Sequence, residues 1–443
     1  MRGADAEPVW AGQERRARGL QLAEAGSAGL AALTPRPAMR PGTARRTLPP
    51  RAAYALAAFV IGIALFASVT PSPLYHSYSV LWHFSPLTLT LIFATYAFGV
   101  LTTLLLGGRV SDQVGRRPVL LAALGVLMGS SVLFMAASAT VWLFAARAFQ
   151  GLATGAALST ASAALLDLHP RRDAASVGLA NGVASTAGLG LGFLVSSALV
   201  QLGSAPRVLP YIVLLVLFAT AFAGAYWMPE PVLGRSSFRL TPQRPSVPAG
   251  IRHPFLLASM AVIGSWSLGG LFFSLGPGLS AQLFRTSSVI VAGIGAVALA
   301  LSAALSQMIF HRSAPCAGAT AGSAALAAGT VLIIVAAVTG SGAAYITGSV
   351  VGGAGFGVAF LGGLRQLVAV IPDQHRAAVM SAFYIVAYAS LSVPAVIAGL
   401  VVTHLGLKVT FETFGSIVAG VALAMAVEAW RTGPDRRLGR LAD

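Results

Sequence analysis

Cysteine, lysine and acidic residues are scarce in this chain of 443 residues. It has a single cysteine, Cys316, a single lysine, Lys408, and 13 Asp or Glu residues. One cysteine excludes an internal disulfide and a cysteine-ligated metal cluster, so we do not expect redox chemistry. Charged residues make up 9% of the chain, whereas soluble globular proteins carry about 25%. Water is therefore not the main solvent of this protein.

Motifs of nucleotide-driven and hydrolytic enzymes are also missing from the sequence. It contains no G-x-x-x-x-G-K-[ST] loop, so the chain has no phosphate loop of its own with which to use ATP. It contains no G-x-S-x-G elbow and no H-E-x-x-H pair either. We therefore expect neither an enzyme nor a bound cofactor.

Hydrophobic residues make up 56% of the sequence and fall into long stretches with few charges. A helix of about 20 apolar residues crosses the roughly 30 Å of hydrocarbon in a membrane. The sequence has twelve such stretches, at residues 54–78, 87–107, 118–137, 140–167, 176–201, 209–228, 254–281, 288–310, 318–338, 343–370, 379–403 and 407–430. They predict an all-α membrane protein with twelve transmembrane helices in two six-helix pseudo-repeat bundles.

A proline-rich segment, residues 229–253, separates the two groups of six stretches. It cannot continue a helix and carries four arginines, so we interpret it as a cytoplasmic linker. The bundles then cover residues 52–228 and 254–430. Residues 1–51 are interpreted as a disordered basic cytoplasmic tail, and residues 431–443 as a second cytoplasmic tail.

The positive residues lie at the ends of the apolar stretches, as expected for membrane topology, rather than on one basic surface. The formal net charge is +16, but the arginines lie at the ends of the apolar stretches, which argues against nucleic-acid binding. Only Arg207, Arg285 and Lys408 would lie outside if both termini are cytoplasmic, and this asymmetry predicts that orientation. Because arginine and alanine are abundant, we expect a bacterial protein of the inner (plasma) membrane, surrounded by the lipid bilayer.

The loop between the second and third stretches reads G-G-R-V-S-D-Q-V-G-R-R-P over residues 107–118. This spacing resembles the signature loop of the major facilitator superfamily of membrane transporters. The resemblance implies a conformational latch, made in one state and broken in another, formed by Gly108, Asp112, Gly115, Arg116 and Arg117. The chain departs from the family pattern at Gln113, where a basic residue is common. An ordinary positively charged turn is the alternative interpretation, but it leaves Asp112 unexplained.

The fourth stretch carries a second pattern of this family, an arginine followed three residues later by glutamine and glycine, here Arg147, Gln150 and Gly151. A charge this deep in a membrane helix must meet water or a partner. We interpret Arg147 and Gln150 as substrate or coupling contacts, with snorkelling of Arg147 to the outer interface as the alternative. Arg365 in the tenth stretch is a further candidate, equally interpretable as a gate or an inter-helix contact.

In this family the first, fourth, seventh and tenth helices line the cavity, which implies an apolar pocket. Its candidate wall residues are Phe66, Tyr96, Phe272, Phe273, Phe356 and Tyr384, although any one aromatic is more often packing than pocket. The Gly276-Pro277-Gly278 sequence predicts a break late in the seventh helix.

The resemblance implies a secondary active transporter of a small molecule that works by alternating access, as a monomer. The apolar pocket favours proton-coupled efflux of amphipathic or drug-like compounds. An uptake symporter for a sugar or organic acid is the alternative, since the fifth stretch lacks the Gly-Pro step typical of the family's exporters. A non-transporting receptor or scaffold is a third hypothesis. Proton coupling lacks an obvious carrier, because no carboxylate lies in the middle of a stretch.

Overall fold

The computed structural model describes residues 47–107, 110–171, 173–231, 245–372 and 375–431. Within these ranges the chain is helical and contains no β-strand. The expected all-α membrane fold is therefore confirmed. The predicted tails at 1–46 and 432–443 and the middle of the predicted linker, 232–244, lie outside the described residues.

Among the described residues, the first half of the chain forms eight helices and one short 3-10 turn, Ser72–Leu74. The helices are α1 (Pro50–Val69), α2 (Tyr75–Trp82), α3 (Pro86–Gly107), α4 (Val110–Val114), α5 (Arg116–Met135), α6 (Thr140–Leu168), α7 (Ala174–Leu202) and α8 (Leu209–Tyr226). Proline lies in the first turn of α1 and α8, where its missing N–H costs nothing. Helix α1 begins at Pro50, four residues earlier than the apolar pattern predicts.

The second half begins with a 3-10 turn, Ala249–Ile251, and continues as six helices. They are α9 (Arg252–Ser274), α10 (Gly276–Phe284), α11 (Val289–Phe310), α12 (Pro315–Thr339), α13 (Gly342–Val370) and α14 (Arg376–Arg431). The interruption between α9 and α10 falls at Leu275, where Gly276-Pro277-Gly278 predicts it.

Helix α14 consists of two arms that meet at a kink at Gly406, whose φ of 79° lies in the left-handed region. Near one end, the carbonyl of Ala378 accepts the N–H of Ser246, and near the other, Glu428 lies 3.3 Å from His253. A straight helix would hold Ala378 and Glu428 about 75 Å apart. The two arms are therefore the predicted eleventh and twelfth crossings, and the eleven long apolar segments found among the described residues make twelve passes.

The two ends of the bundle are distinguished by their loops. We call the end that carries residues 110–116 the loop face; it also holds residues 168–171, 311–315 and 371–372. The other end, the opposite face, holds residues 83–86, 203–208 and 285–288 together with Gly406. This naming leaves the orientation in the membrane open.

Two helix pairs join the halves: α7 packs along α11, and α3 packs along α14. At the opposite face, Oε1 of Gln201 accepts the hydroxyl of Ser288 at 2.7 Å and the backbone N–H of Ile290 at 2.9 Å. Toward the loop face, a Cβ at Gly182 would overlap Oε1 of Gln307. The halves therefore touch near both ends of the α7–α11 pair.

Candidate functional site

The first membrane crossing is interrupted by Pro71 and Pro73, just beyond the end of α1. In a helix each backbone N–H binds the carbonyl four residues earlier, so a proline leaves that carbonyl without its partner. Pro71 frees the carbonyl of Ala67, and the end of the helix frees that of Ser68. Both residues are buried, so their oxygens need donors from another helix.

Arg147 and Gln150 of α6 are those donors. Nη1 of Arg147 donates to the carbonyl of Ser68 at 2.6 Å, and Nε2 of Gln150 donates to the carbonyl of Ala67 at 3.0 Å. The two side chains also bind each other, since Nη1 of Arg147 donates to Oε1 of Gln150 at 2.7 Å. The guanidinium lies at the C-terminus of α1, where the helix dipole favours positive charge.

Two tyrosines enclose the same guanidinium. Nε and Nη2 of Arg147 both donate to the hydroxyl of Tyr75, at 2.8 and 2.6 Å. Its central carbon lies 5.6 Å from the ring centre of Tyr75 and 5.4 Å from that of Tyr96. Arg147 is 0% exposed, so in this conformation it binds the broken end of α1 rather than an open cavity. Its role as a substrate or coupling contact stays a prediction.

Gly151, the third member of the Arg147 pattern, brings α6 against α3. A Cβ there would overlap the carbonyl oxygen of Tyr96. One turn further, a Cβ at Gly155 would lie 2.8 Å from the carbonyl oxygen of Val100. The close approach requires glycine and sets Tyr96 over Arg147.

The predicted latch residues meet in the first half, although Gly108 lies outside the described residues. Arg116 forms an ion pair with Asp112, donates through Nε to Asp167 at 3.1 Å and donates through Nη1 to Ser111 at 2.7 Å. Its side chain is 11% exposed, whereas that of Asp112 is 55% exposed. Asp167, at the end of α6, had not been predicted as a partner, although its position near the loop face was readable from the sequence.

Glu230 binds the start of α5 with both carboxylate oxygens. Oε1 accepts the backbone N–H of Arg116 at 2.9 Å, and Oε2 accepts that of Arg117 at 3.0 Å. The first N–H groups of a helix have no partner within it, so an acidic side chain satisfies them and suits the helix dipole. Gly115, with φ of 114°, permits the turn, and a Cβ there would lie 2.6 Å from Oε2 of Glu230. No sequence spacing signals this contact between residues 114 positions apart.

The remaining arginines of the prediction lie elsewhere on the loop face. The guanidinium of Arg117 lies 5.0 Å from the ring centre of Tyr226. Arg365 donates through Nη1 to the carbonyls of His311 at 2.9 Å and Ser313 at 3.1 Å, at the C-terminus of α11. The structure does not bring Arg365 to Arg147, because the two bind helix ends at different faces of the bundle.

The six predicted wall residues fall into three buried clusters. Phe66 belongs to the core of the first half. Phe272, Phe273 and Phe356 belong to a cluster that also contains Val69, Phe93 and Phe193 of the first half. Tyr96 packs near Tyr384 in a third cluster built around Tyr388 of α14. The second cluster joins the halves nearer the opposite face and the third joins them deeper in the bundle.

Three aromatic residues at these junctions were not predicted: Trp266, Phe360 and Tyr388. The ring centres of Trp266 and Tyr388 lie 5.1 Å apart, and those of Trp266 and Phe360 lie 6.0 Å apart. Helical spacing could have signalled two of them, because Phe360 and Tyr388 follow Phe356 and Tyr384 by four residues. Among the described residues, no group of three or more His, Cys, Asp or Glu is placed to hold a metal ion.

Comparison with known proteins agrees with this geometry. A family model for the Major Facilitator Superfamily matches residues 52–346. The chain is 35% identical over 130 residues to Multidrug resistance protein D of Escherichia coli, a match covering 28% of this chain and 31% of that protein. It is 28% identical over 171 residues to Multidrug resistance protein MdtL of Escherichia coli, covering 38% of this chain and 39% of that protein.

These matches span less than two fifths of the two relatives' length. A solved structure, that of the human organic anion transporter MFSD10 (TETRAN), superposes with a TM-score of 0.63 at 17% identity, covering 86% of this chain and all of that one. The fold, the loop with its ion pairs and the family match lead to one assignment. The chain belongs to the major facilitator superfamily, a family of non-enzymatic membrane transporters.

Proposed function

We propose that the protein is a secondary active exporter of amphipathic small molecules that works by alternating access and is driven by the proton gradient. The observation that carries the proposal is the aromatic lining between the halves, contributed by α3, α9, α13 and α14. Sites for small amphipathic molecules are mostly apolar with a few polar groups. The curated relatives named above are both called multidrug resistance proteins, which supports export rather than uptake.

The proposed orientation places the loop face in the cytoplasm of a bacterium, with the protein in the inner membrane. Nine described arginines lie on the loop face or in the helix turns beside it: Arg51, Arg116, Arg117, Arg171, Arg252, Arg312, Arg365, Arg376 and Arg431. Arg207, Arg285 and Lys408 lie at the opposite face. Cytoplasmic loops retain Arg and Lys, so this asymmetry supports a cytoplasmic loop face.

The conformation described is consistent with loading from the cytoplasm. Val69, Phe93 and Phe193 of the first half pack with Phe272 and Phe273 of the second, nearer the opposite face. This apolar contact seals the space between the halves on that side. Trp266, Phe360 and Tyr384 lie nearer the loop face and are only half-buried.

The latch is proposed to bias the equilibrium between inward and outward states. Arg116 is bound by Asp112 and Asp167, and the start of α5 is bound by Glu230. Charged contacts at a helix N-terminus are each worth about 0.3–1 kcal/mol, and more when partly buried. A few such contacts shift a two-state equilibrium without locking it.

Proton coupling has few candidate proton carriers among the described residues. All six Asp and Glu side chains within the described ranges lie near helix ends or in loops: Asp112, Asp167, Asp173, Glu230, Glu412 and Glu428. Coupling must then act through one of these, through a histidine, or through a proton carried by the substrate. The family membership is what supports it.

Reconstituted vesicles test the proposal. Inside-out vesicles with an acidic lumen should accumulate an amphipathic aromatic compound saturably, because protons leaving the lumen drive the compound in, and Asp112→Asn should lose most of this flux while inserting normally. Flux that ignores the pH step would remove proton coupling and leave export in place. Accumulation only in right-side-out vesicles would indicate uptake, and absence of any flux would refute transport of this substrate class.

A further inference from the structure

Trp266 lies where three clusters of buried side chains meet. It packs against the cluster that joins the halves nearer the opposite face, against the loop-face core of the second half, and against the cluster around Tyr96 and Tyr388. Despite these contacts it is only half-buried. Because α9 packs between α13 and α14, the face of Trp266 that meets Phe360 and Tyr388 points into the bundle rather than toward lipid.

Aromatic rings from three helices extend this surface. Trp266 meets Tyr388 edge-on, at 79° between ring planes, and meets Phe360 at 42°. The ring centres of Phe360 and Phe383 lie 6.4 Å apart, and those of Phe383 and Tyr384 lie 6.1 Å apart. Such tilted arrangements leave ring faces available to a further aromatic group. We call the surface formed by Trp266, Phe360, Tyr384 and Tyr388, with Tyr96 facing it from α3, the aromatic surface.

The charges around the aromatic surface disfavour a cationic ligand. None of the six acidic residues in the described part of the chain lies in the middle of an apolar stretch, so none of their carboxylates reaches this depth. The nearest buried charge with a described position is Arg147, whose guanidinium lies 5.4 Å from the ring centre of Tyr96. A bound cation would lose its hydration, meet no counter-ion and be repelled by Arg147. The favourable free energy of a cation on an aromatic face is smaller than the unfavourable free energy of removing that cation from water.

The aromatic surface also carries hydrogen-bonding groups, the indole N–H of Trp266 and the hydroxyls of Tyr384 and Tyr388. The indole N–H of Trp266 is a hydrogen-bond donor on a side chain that is only half-buried, so a ligand can reach it. A donor beside apolar rings favours a ligand with an uncharged hydrogen-bond acceptor. We propose that the aromatic surface is the substrate site, and that it takes uncharged aromatic molecules bearing such an acceptor while excluding permanent cations. This inference rests on the proposed export function, whose site it specifies.

A matched pair of probes tests the charge preference. Triphenylphosphine oxide and methyltriphenylphosphonium share three phenyl rings and differ chiefly in an uncharged P=O group against a cationic P–CH₃ group. Equilibrium dialysis of the purified full chain in detergent, corrected for protein-free micelles, should show saturable binding of the oxide and none of the phosphonium. Saturable binding of the phosphonium as tight as that of the oxide would overturn the preference.

Substitutions locate the site. Trp266→Leu keeps an apolar side chain but removes the rings and the donor, and should weaken binding of the oxide by at least about fivefold. Trp142→Ala is the control, because Trp142 is 40% exposed on α6, and it should change the affinity by less than about twofold. Trp266→Phe keeps an aromatic face, so its affinity for the oxide should lie between those of Trp266→Leu and Trp142→Ala. It keeps the site testable if the leucine variant misfolds. Equal binding by all three variants would overturn the site.

Transport separates this inference from the proposed function. If vesicles export the oxide and Trp266→Leu transports it like the unmodified chain, the site is wrong and export stands. If the oxide binds in a Trp266-dependent manner but no vesicle transports it, export is wrong and the site stands.

Discussion

The carboxylate of Glu230 accepts the backbone N–H of Arg116 at 2.9 Å and so connects the segment after α8 to the beginning of α5. Glu230→Gln should weaken this cap because an amide offers one acceptor oxygen instead of two and carries no charge. Hydrogen bonds to a charged group are worth about 1.5–3 kcal/mol, so a loss of about 1 kcal/mol is expected for this half-buried pair. Thermal unfolding of the purified protein measures it.

Glu428→Gln is the control for that substitution, because Glu428 is 40% exposed and lies on the same face. Its unfolding temperature should change less than that of Glu230→Gln. A Glu230→Gln protein as stable as the unmodified chain would show that the cap contributes nothing measurable.

Arg147→Ala should abolish transport, and Arg147→Lys should retain part of it. Alanine leaves the carbonyl of Ser68 and the hydroxyl of Tyr75 buried without a donor, at about 1–3 kcal/mol for each unsatisfied group. Lysine keeps the charge but cannot reach both partners with a planar fork. Arg285→Ala, at an exposed arginine, is the control and should transport normally. Normal flux by Arg147→Ala would remove this arginine from the mechanism.

Gly151→Ala should destabilise the protein strongly, because a Cβ there overlaps the backbone of α3 at Tyr96. The backbone cannot yield as a flexible side chain would, so α3 and α6 must separate. Gly125→Ala is the matched control, since nothing lies within 4 Å of a Cβ at Gly125. Alanine is a better helix former than glycine by about 1 kcal/mol, so the control should be neutral or stabilising. Equal melting temperatures for the two variants would contradict the close approach.

Asp173 should make stability depend on pH at the start of α7. Its carboxylate accepts the hydroxyl of Ser176 and the backbone N–H groups of Ser176 and Ala175, and these bonds lower the pKa of Asp173 below 3.8. A lowered pKa stabilises the folded state above the unfolded value, and the effect is lost as the pH falls through the lowered pKa. Asp173→Ala should therefore unfold at a lower temperature than the unmodified chain at pH 7, and the difference should shrink as the pH falls through the lowered pKa of Asp173. A difference that is constant with pH would mean that the charge plays no part.

Cys316 reports the orientation of the loop face. It lies in the first turn of α12, half-buried, with its Sγ 3.2 Å from the carbonyl of Ala429. A membrane-impermeant thiol reagent should label it only after the cells are opened. Ser204→Cys, in a chain also carrying Cys316→Ser, places a thiol in an exposed turn at the opposite face and should react in intact cells. The reverse pattern would invert the topology.

The number and type of helices were predictable because membrane spans depend on length and apolarity, which are local properties of the sequence. The partners of Arg147 could be predicted only in part from the sequence. Its depth required a partner, and Pro71 could have identified Ala67 as an unpaired carbonyl, but nothing local connects α1 to α6. Glu230 was taken as part of the linker, because a cap formed across 114 positions depends on where the end of α8 packs.

Trp266 was missed for a similar reason. A lone tryptophan in an apolar helix is ordinary packing until the neighbouring helices are placed. Phe360 and Tyr388 come from α13 and α14, far along the chain, and only their convergence makes the three rings one surface. The structure places the predicted wall residues Phe272 and Phe273 in the buried cluster that joins the halves nearer the opposite face, and their role as a pocket wall stays a prediction.

The proline break after α1 has an evolutionary consequence. A chain with an amino acid other than proline at position 71 would regain a backbone N–H for the carbonyl of Ala67, and this N–H would compete with the amide of Gln150 for that oxygen. Loss of Gln150 alone would leave the buried carbonyl of Ala67 without a donor. Positions 71 and 150 should therefore be inherited as a pair among the relatives of this chain, and a lineage that loses one should soon replace the other.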